Sequence, residues 1–327
     1  MPADAGARPI AARGVMLAVA IAIAGVLLYL SLRGIEWSAV GRTLRGADAR
    51  VLALTAVTGA FSMFLRAWRW QVLLNAEAQV SLSSAFWATA ACQFGNNLMP
   101  ARAGELVRTY MIDGEYRLGK TYVLATAIAE RIADAIVLVA IGALALLTMT
   151  SPPGWLERAA KPFAIAGLAG AAAIAVLPLM GPALERLICR LPLPHAWQAR
   201  LVTAVEQGLR GFRAFHDGGR VVAFVTIAVV IWFVDAVGTM IAGAALGLTI
   251  RLPVAFLLMA GLGLGSSIPS TPGYVGIYQF VAVSLLTPFG ISREGAIAYI
   301  LVSQAIMYVV IGVLGAIGLY RHRRMSR

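Results

Sequence analysis

Phe86-WATAACQFGNNLMPARAGE-Leu106 and Phe256-LLMAGLGLGSSIPSTPGYVG-Ile277 decide how this chain is read. Both stretches are hydrophobic, both are interrupted, and they occupy matching places in the two halves. Each break carries Pro-x-x-x-Gly, from Pro100 to Gly104 and from Pro269 to Gly273. Backbone that leaves the helix at membrane depth needs protein or a water-filled cavity to satisfy its polar groups. Interrupted segments in corresponding positions of two halves therefore point to the binding site of a transporter built from repeats.

The rest of the chain supports this setting. Hydrophobic residues make up 60% of 327, and the mean hydropathy is +0.82. That excludes an ordinary soluble domain and leaves an all-α integral membrane protein, a polytopic helix bundle. Long apolar runs, without ten-residue alternation, argue against a β-barrel. The net charge is +12, and all basic residues except Lys120 and Lys161 are Arg. In a membrane protein this reads as positive-inside loops beside anionic headgroups, with no nucleic-acid partner. Cys92 and Cys189 lie far apart, and His195, His216 and His322 are scattered, so neither a disulfide framework nor a metal site is expected. No Walker A sequence is present and no cofactor is expected.

Six segments read as full crossings: 14–32, 50–70, 121–149, 162–180, 221–248 and 295–320. Segment 14–32 is read as a retained helix, too long for a signal-peptide core. Two segments, 82–118 and 253–289, read as re-entrant helix pairs. In the second, 253–268 and 273–289 each fall short of the roughly 20 residues a crossing needs. With both termini in the cytoplasm, most basic residues fall in inside segments; the loop 33–50, with Arg33, Arg42, Arg45 and Arg50, fits least well. Each half (14–149 and 162–320) then holds three crossings and one hairpin. Three is odd, so the second half is an inverted repeat of the first, with the hairpin tips meeting near the midplane. The Arg-rich stretch 183–219 reads as an amphipathic connector on the cytoplasmic surface.

The first tip holds Gln93, Asn96, Asn97, Pro100, Arg102, Glu105 and Arg108. On a helix following Pro100, Arg102, Glu105 and Arg108 make an ion-pair ladder with one guanidinium left to grip a phosphate. A ladder that merely closes the hairpin fits the same residues. The second tip is uncharged: Ser266, Ser267, Ser270 and Thr271 offer hydroxyls, with Thr271 suited to cap a helix and Pro272 to start it. Gly273 and Gln279 follow. Glu130, Arg131 and Asp134 sit inside 121–149; Glu130 and Asp134 share a face and repel unless a cation lies beside them. They are charge-balancing or proton-coupling candidates, with Arg131, Arg66, Arg69 or the tip arginines as partners. Arg66-AWR-Trp70 reads either as an interfacial anchor or as a headgroup site. Asp235 is expected to sit neutral in the bundle.

Taken together, Arg66-AWR-Trp70, Asn97-LMPARAGELVR-Thr109, Glu130-RIA-Asp134 and Pro269-STPGYV-Gly276 resemble the lysylphosphatidylglycerol synthase transmembrane domain family. This is the flippase-like membrane half of the multiple peptide resistance factor, which also occurs free-standing. The resemblance spans nearly the whole chain. It implies a protein that moves or positions lipids with charged or glycosylated headgroups. The sequence ends at Arg327 without an aminoacyl-transferase domain, so lysyl transfer is not expected. Fold-level likeness cannot choose among aminoacylated phospholipid, polyprenyl-phosphate-linked sugar and hopanoid-type lipid.

The leading expectation is a lipid flippase of the bacterial inner membrane, not an enzyme. An anionic lipid or lipid-linked phosphate would bind between the tips. The alternatives are an intramembrane lipid-phosphate enzyme, weakened by the lack of a His in the bundle, and a non-transporting partner of a lipid-modifying enzyme.

Overall fold

The computed structural model describes residues 21–99, 103–148, 154–192, 194–266 and 272–325. These residues are helical, with no strand among them. The helices are α1 (Ile21–Leu32), α2 (Trp37–Arg45), α3 (Ala49–Leu74), α4 (Leu82–Leu98), α5 (Gly104–Tyr116), α6 (Lys120–Leu147), α7 (Gly154–Val176), α8 (Gly181–Cys189), α9 (His195–Arg213), α10 (Gly218–Ala245), α11 (Leu252–Gly265), α12 (Ile277–Leu286) and α13 (Arg293–Met325).

Three helices, α3, α10 and α13, are long and apolar enough to cross a membrane, and the bent pair α1–α2 adds a fourth if it counts as one span. Val57, Phe61, Val229, Phe233, Val309 and Val313 stand exposed on α3, α10 and α13, as lipid-facing positions do. α6 is as long as α10 but carries Glu130, Arg131 and Asp134 in its middle. Short polar side chains start several helices: the Asp48 carboxylate accepts from Arg50 N at 2.8 Å, Ser81 from Ser84 N at 3.0 Å, and Asp217 from Arg220 N at 2.9 Å.

The two halves pack reciprocally. α4 folds back on α5, and α11 on α12; α5 also packs on α6, as α12 does on α13. Across the halves, α4 packs on α13, α11 on α6, and α3 lies along α10. Close approach in the first hairpin demands glycine. A Cβ on Gly104 would meet the Cys92 carbonyl and Asn96, and one on Gly95 would lie 2.8 Å from the Gly104 Cα. Each hairpin is embedded in its own apolar cluster, one around Trp70, Leu73, Ile112 and Val123, the other around Leu258, Leu286 and Ile297.

Several boundaries differ from the sequence reading. Residues 33–50 are not a plain loop: α2 runs through them, bent 83° from α1. It buries Val40, with Leu44 one turn on, against the second-half cluster. The second hairpin's return helix begins at Ile277, not near residue 273. Gly273, Tyr274 and Gly276 have φ of 73°, 60° and 92°, a left-handed conformation no α-helix accommodates. Pro272–Tyr274 is a single 3₁₀ turn, and Gly276 caps α12. The stretch 183–219 holds most of α8, then α9 and a short turn, and α9 packs on α6 at Gly211, where a Cβ would lie 2.7 Å from that of Ala125.

Candidate functional site

Six charged side chains from α3, α5 and α6 form one chain of alternating sign. Arg69 grips Asp134 through two bonds, 2.5 and 2.9 Å, and donates to Glu130 at 2.8 Å. The other Glu130 oxygen accepts from Arg108 at 2.9 Å. Arg108 also lies 2.6 Å from Glu105, which takes Arg131 at 2.8 Å on its second oxygen. The order is Asp134, Arg69, Glu130, Arg108, Glu105, Arg131. Arg69 is fully buried and Arg108 is 2% exposed. A seventh and eighth charge pair separately: Arg66 donates to Asp235 at 2.5 Å, joining α3 to α10.

Each of three guanidiniums also lies over an aromatic ring: Arg66 over Trp232 at 5.1 Å, Arg69 over Phe224 at 4.9 Å, and Arg108 over Trp70 at 4.5 Å. Guanidinium suits this double role because it is planar, weakly hydrated and bidentate. Four cations and four anions cancel within the cluster, as buried charge must.

Beside the cluster lies a central cavity of about 360 Å³. Both halves line it: Thr55, Thr58, Ser62 and Arg66 of α3, Gln93, Asn96 and Asn97 of α4, Arg131 and Asp134 of α6, Trp232, Asp235 and Thr239 of α10, Tyr274 and Tyr278 at the second tip, and Tyr299, Ser303, Gln304 and Tyr308 of α13. Hydroxyl and amide groups share the lining with apolar side chains such as Leu138, Met259, Leu262 and Met307, and among the described residues each of its four charges has an oppositely charged partner. Two buried cavity atoms, Asn96 Oδ1 and Trp232 Nε1, have no hydrogen-bond partner among the described residues. Buried polar atoms rarely stay so.

An amide relay holds the second tip. Gly276 N donates to Gln279 Oε1 at 2.7 Å, Gln279 Nε2 to Gln304 Oε1 at 2.7 Å, and Gln304 Nε2 to the Gly273 carbonyl at 3.0 Å. The Tyr308 hydroxyl donates to the same carbonyl. Just beyond, Tyr274 and Tyr278 stack 4.9 Å apart at 11°.

The expected site residues therefore divide. Arg66, Asn96, Asn97, Arg131 and Asp134 border the cavity. Arg69, Arg108 and Glu130 form the ion network behind it, Glu105 and Arg131 its outer end, and Gly273 and Gln279 the tip relay. Arg102, Ser270 and Thr271 lie outside the described residues. The Glu105–Arg108 rung of the ladder is present, but Arg108 is tied to two carboxylates and buried. Arg69 and Trp70 are core residues, not an interfacial anchor, because the α6 carboxylates and Thr126 meet them: Trp70 Nε1 donates to Thr126 at 3.2 Å. Asp235 is ion-paired, not isolated. Sequence reasoning passed over Tyr299, Gln304 and Tyr308. Their signal was a set of polar groups about a turn apart inside an apolar helix.

A curated relative, "Glycosyltransferase AglD" of Haloferax volcanii, is 24% identical over 351 aligned residues, covering 95% of this chain. The chain spans about half, 55%, of that protein's length. The family model described as "Lysylphosphatidylglycerol synthase TM region" matches residues 15–315. This range contains both broken segments, the ion network and the cavity, and the chain belongs to that family.

Proposed function

We propose that this membrane protein is a lipid translocator, not an enzyme, that takes a polar lipid headgroup into the cavity between its two hairpins. The observation that carries the reading is the cavity itself. It lies in an all-helical membrane bundle, draws its lining from both broken segments, and holds buried Asn96 Oδ1 and Trp232 Nε1 without partners among the described residues. A polar pocket at membrane depth is costly unless it serves a polar cargo. The reciprocal packing of α3, α4, α5 and α6 with α10, α11, α12 and α13 supports an inverted repeat with re-entrant hairpins. On this reading the protein lies in a bacterial inner membrane with both termini in the cytoplasm.

The cargo is an amphiphile with a lipid-linked phosphate. Among the described residues Arg66, Arg69, Arg108 and Arg131 are each paired with a carboxylate. Arg131, with 35% of its side chain exposed, is the one of them open enough to exchange its carboxylate for a phosphate, and Arg102, which lies outside the described residues, is a second candidate. Glu105, Glu130, Arg131 and Asp134 are the charge-balancing residues of this reading. The uncharged remainder of the pocket, with the stacked Tyr274 and Tyr278, favours a hydroxyl-rich group such as a sugar beyond the phosphate. The name of the Haloferax relative is in keeping with a glycosylated lipid.

Reconstitution tests the reading. Vesicles of phosphatidylethanolamine and phosphatidylglycerol receive the purified protein and traces of a fluorescent lipid, either phosphatidylglycerol or a polyprenyl-phosphate sugar. Loss of inner-leaflet fluorescence to a membrane-impermeant reductant reports movement. Movement above that of empty vesicles, reduced by Arg102→Ala, supports translocation. No movement of either probe, with product formed from one of them in detergent, replaces it with the enzyme reading.

A further inference from the structure

A second concavity borders the first. An apolar groove of about 420 Å³ runs between α6 and α7, walled by Ile132, Ile136 and Val139 on α6 and by Gly167 and Gly170 on α7. The two glycines keep α7 close: a Cβ on Gly167 would lie 3.1 Å from Val139, and one on Gly170 3.3 Å from Ile132. Arg131, Ala135 and Leu264 line both the groove and the central cavity. The two spaces therefore adjoin along one stretch of α6.

The junction is charged. Among the described residues, Arg131 and its partner Glu105 are the only ionisable ones along the groove, and the Arg131 side chain is 35% exposed. Arg69 and Arg108, by contrast, are sealed in protein. A guanidinium this open, midway along an otherwise apolar wall, is costly in a membrane unless a polar group covers it. An apolar groove that meets the central cavity at a half-open cation has the polarity sequence of one molecule: hydrocarbon, phosphate, polar head.

We infer that the α6–α7 groove holds a hydrocarbon chain of the same lipid whose headgroup enters the central cavity, with Arg131 at the joint between chain and head. The inference rests on the translocator reading and adds the path of the chain. The lipid then never withdraws its tail from apolar surroundings; only the head crosses the protein. Glu105 holds Arg131 when no phosphate is present, which keeps the cation neutralised between cargoes.

The test uses the full chain with the photo-crosslinking residue benzoylphenylalanine in place of Ile128, which lines the outer part of the groove, or of Val229 on the exposed face of α10. Membranes are irradiated, the protein is mildly delipidated, and adducts are identified by peptide mass spectrometry. Native mass spectrometry of the unsubstituted chain identifies retained lipid. The expected result is one lipid class at position 128, matching the retained lipid, and a mixture of bulk lipids at 229. Ile136→Trp fills the groove; excluding two or more methylenes lowers retention about tenfold or more. Asn96→Leu, which removes a polar group of the head cavity and none of the groove lining, lowers the adduct at 128 as well, with size-exclusion chromatography confirming that the α4–α5 crossing, where Asn96 meets Gly104, still folds.

Other results overturn the inference in distinguishable ways. If the adduct at 128 survives Asn96→Leu while the retained lipid is lost, the groove holds ordinary bilayer lipid and the translocator reading stands. If lipid is retained but 128 labels no differently from 229, or Ile136→Trp folds and retains lipid normally, the chain lies elsewhere. If nothing is retained and nothing is captured selectively, both readings fall.

Discussion

Replacing Arg69 with Met separates the electrostatic account of the core from its packing. Arg69 has no exposed surface, and its three bonds are shared between Asp134 and Glu130. Met keeps much of the side-chain volume and the contact with the Phe224 ring but removes the charge. Glu130 retains Arg108 at 2.9 Å; Asp134 loses both bonds that Arg69 gave it. Breaking one partner out of a buried ion pair costs about 3–5 kcal/mol, because the other charge stays desolvated. Asp134 lines the cavity and keeps 10% of its side chain exposed, so the loss belongs at the lower end, about 3 kcal/mol. The apparent unfolding midpoint should fall by roughly 6 °C, at about 2 °C per kcal/mol. The partner variant, Arg69→Met with Asp134→Leu, removes one charge of each sign and should recover more than half of that loss. Thermal unfolding followed by tryptophan fluorescence in a single detergent reads both, with size-exclusion chromatography as a check of the folded state. A single variant as stable as the parent, or a double variant less stable than the single, would refute the charge-matching argument.

Other substitutions probe separate contacts. Gly104→Ala places a methyl against the Cys92 carbonyl, a backbone atom that cannot step aside; about 3 kcal/mol of overpacking should cut the yield of monodisperse protein sharply, and an unchanged yield would disprove the tight α4–α5 crossing. Gln304→Leu strips partners from Gln279 and from the Gly273 carbonyl and should cost about 1–3 kcal/mol, with faster amide exchange confined to 272–279; global loosening instead would deny it a local role. Arg66→Lys keeps the charge opposite Asp235 but loses the planar stack on Trp232, so stability should change by less than about 1 kcal/mol while lipid retention in native mass spectrometry falls; equal retention would remove Arg66 from the headgroup site.

The apolar runs made the helices legible, and the two breaks fall between α4 and α5 and between α11 and α12. The helix starts were less legible. Thr271-Pro272 has the chemistry of a helix opening, yet three residues with positive φ delay α12 to Ile277. Gly273 and Gly276 hinted at this, but Tyr274 did not, since a bulky residue seldom accepts that conformation. Arg69 was misread because alternating Trp and Arg is the pattern of a membrane interface. Only the packing of α3 against α6 shows that both α6 carboxylates turn toward it. The i,i+4 repulsion between Glu130 and Asp134 did demand a cation, and the list of candidates contained the right one. Arg66 and Asp235 lie 169 residues apart, and no local rule joins them. Their pairing follows from α3 lying along α10, the contact that brings the halves together.

The two hairpins are fastened differently, and this bears on which can move. α5 is tied to α6 by Arg108 on Glu130 and by Arg131 on Glu105. α12 and its tip are tied to α13 by Gln279, Gln304 and Tyr308 through neutral hydrogen bonds. Separating a buried ion pair costs about 3–5 kcal/mol, whereas a neutral bond contributes about 0.5–1.5 kcal/mol. Even with three bonds in the second fastening, the first holds more firmly, since two ion pairs and the Arg108–Trp70 stack break together. If the hairpins open in turn as the proposed translocation requires, the uncharged tip opens more readily and the charged one serves as the fixed wall. Amide exchange reads this order directly: protection over 277–286 should fall below that over 104–116 in the same sample. Faster exchange in the first hairpin would show that its ion pairs are open to water and do not fasten it, and the ranking of the two would be reversed.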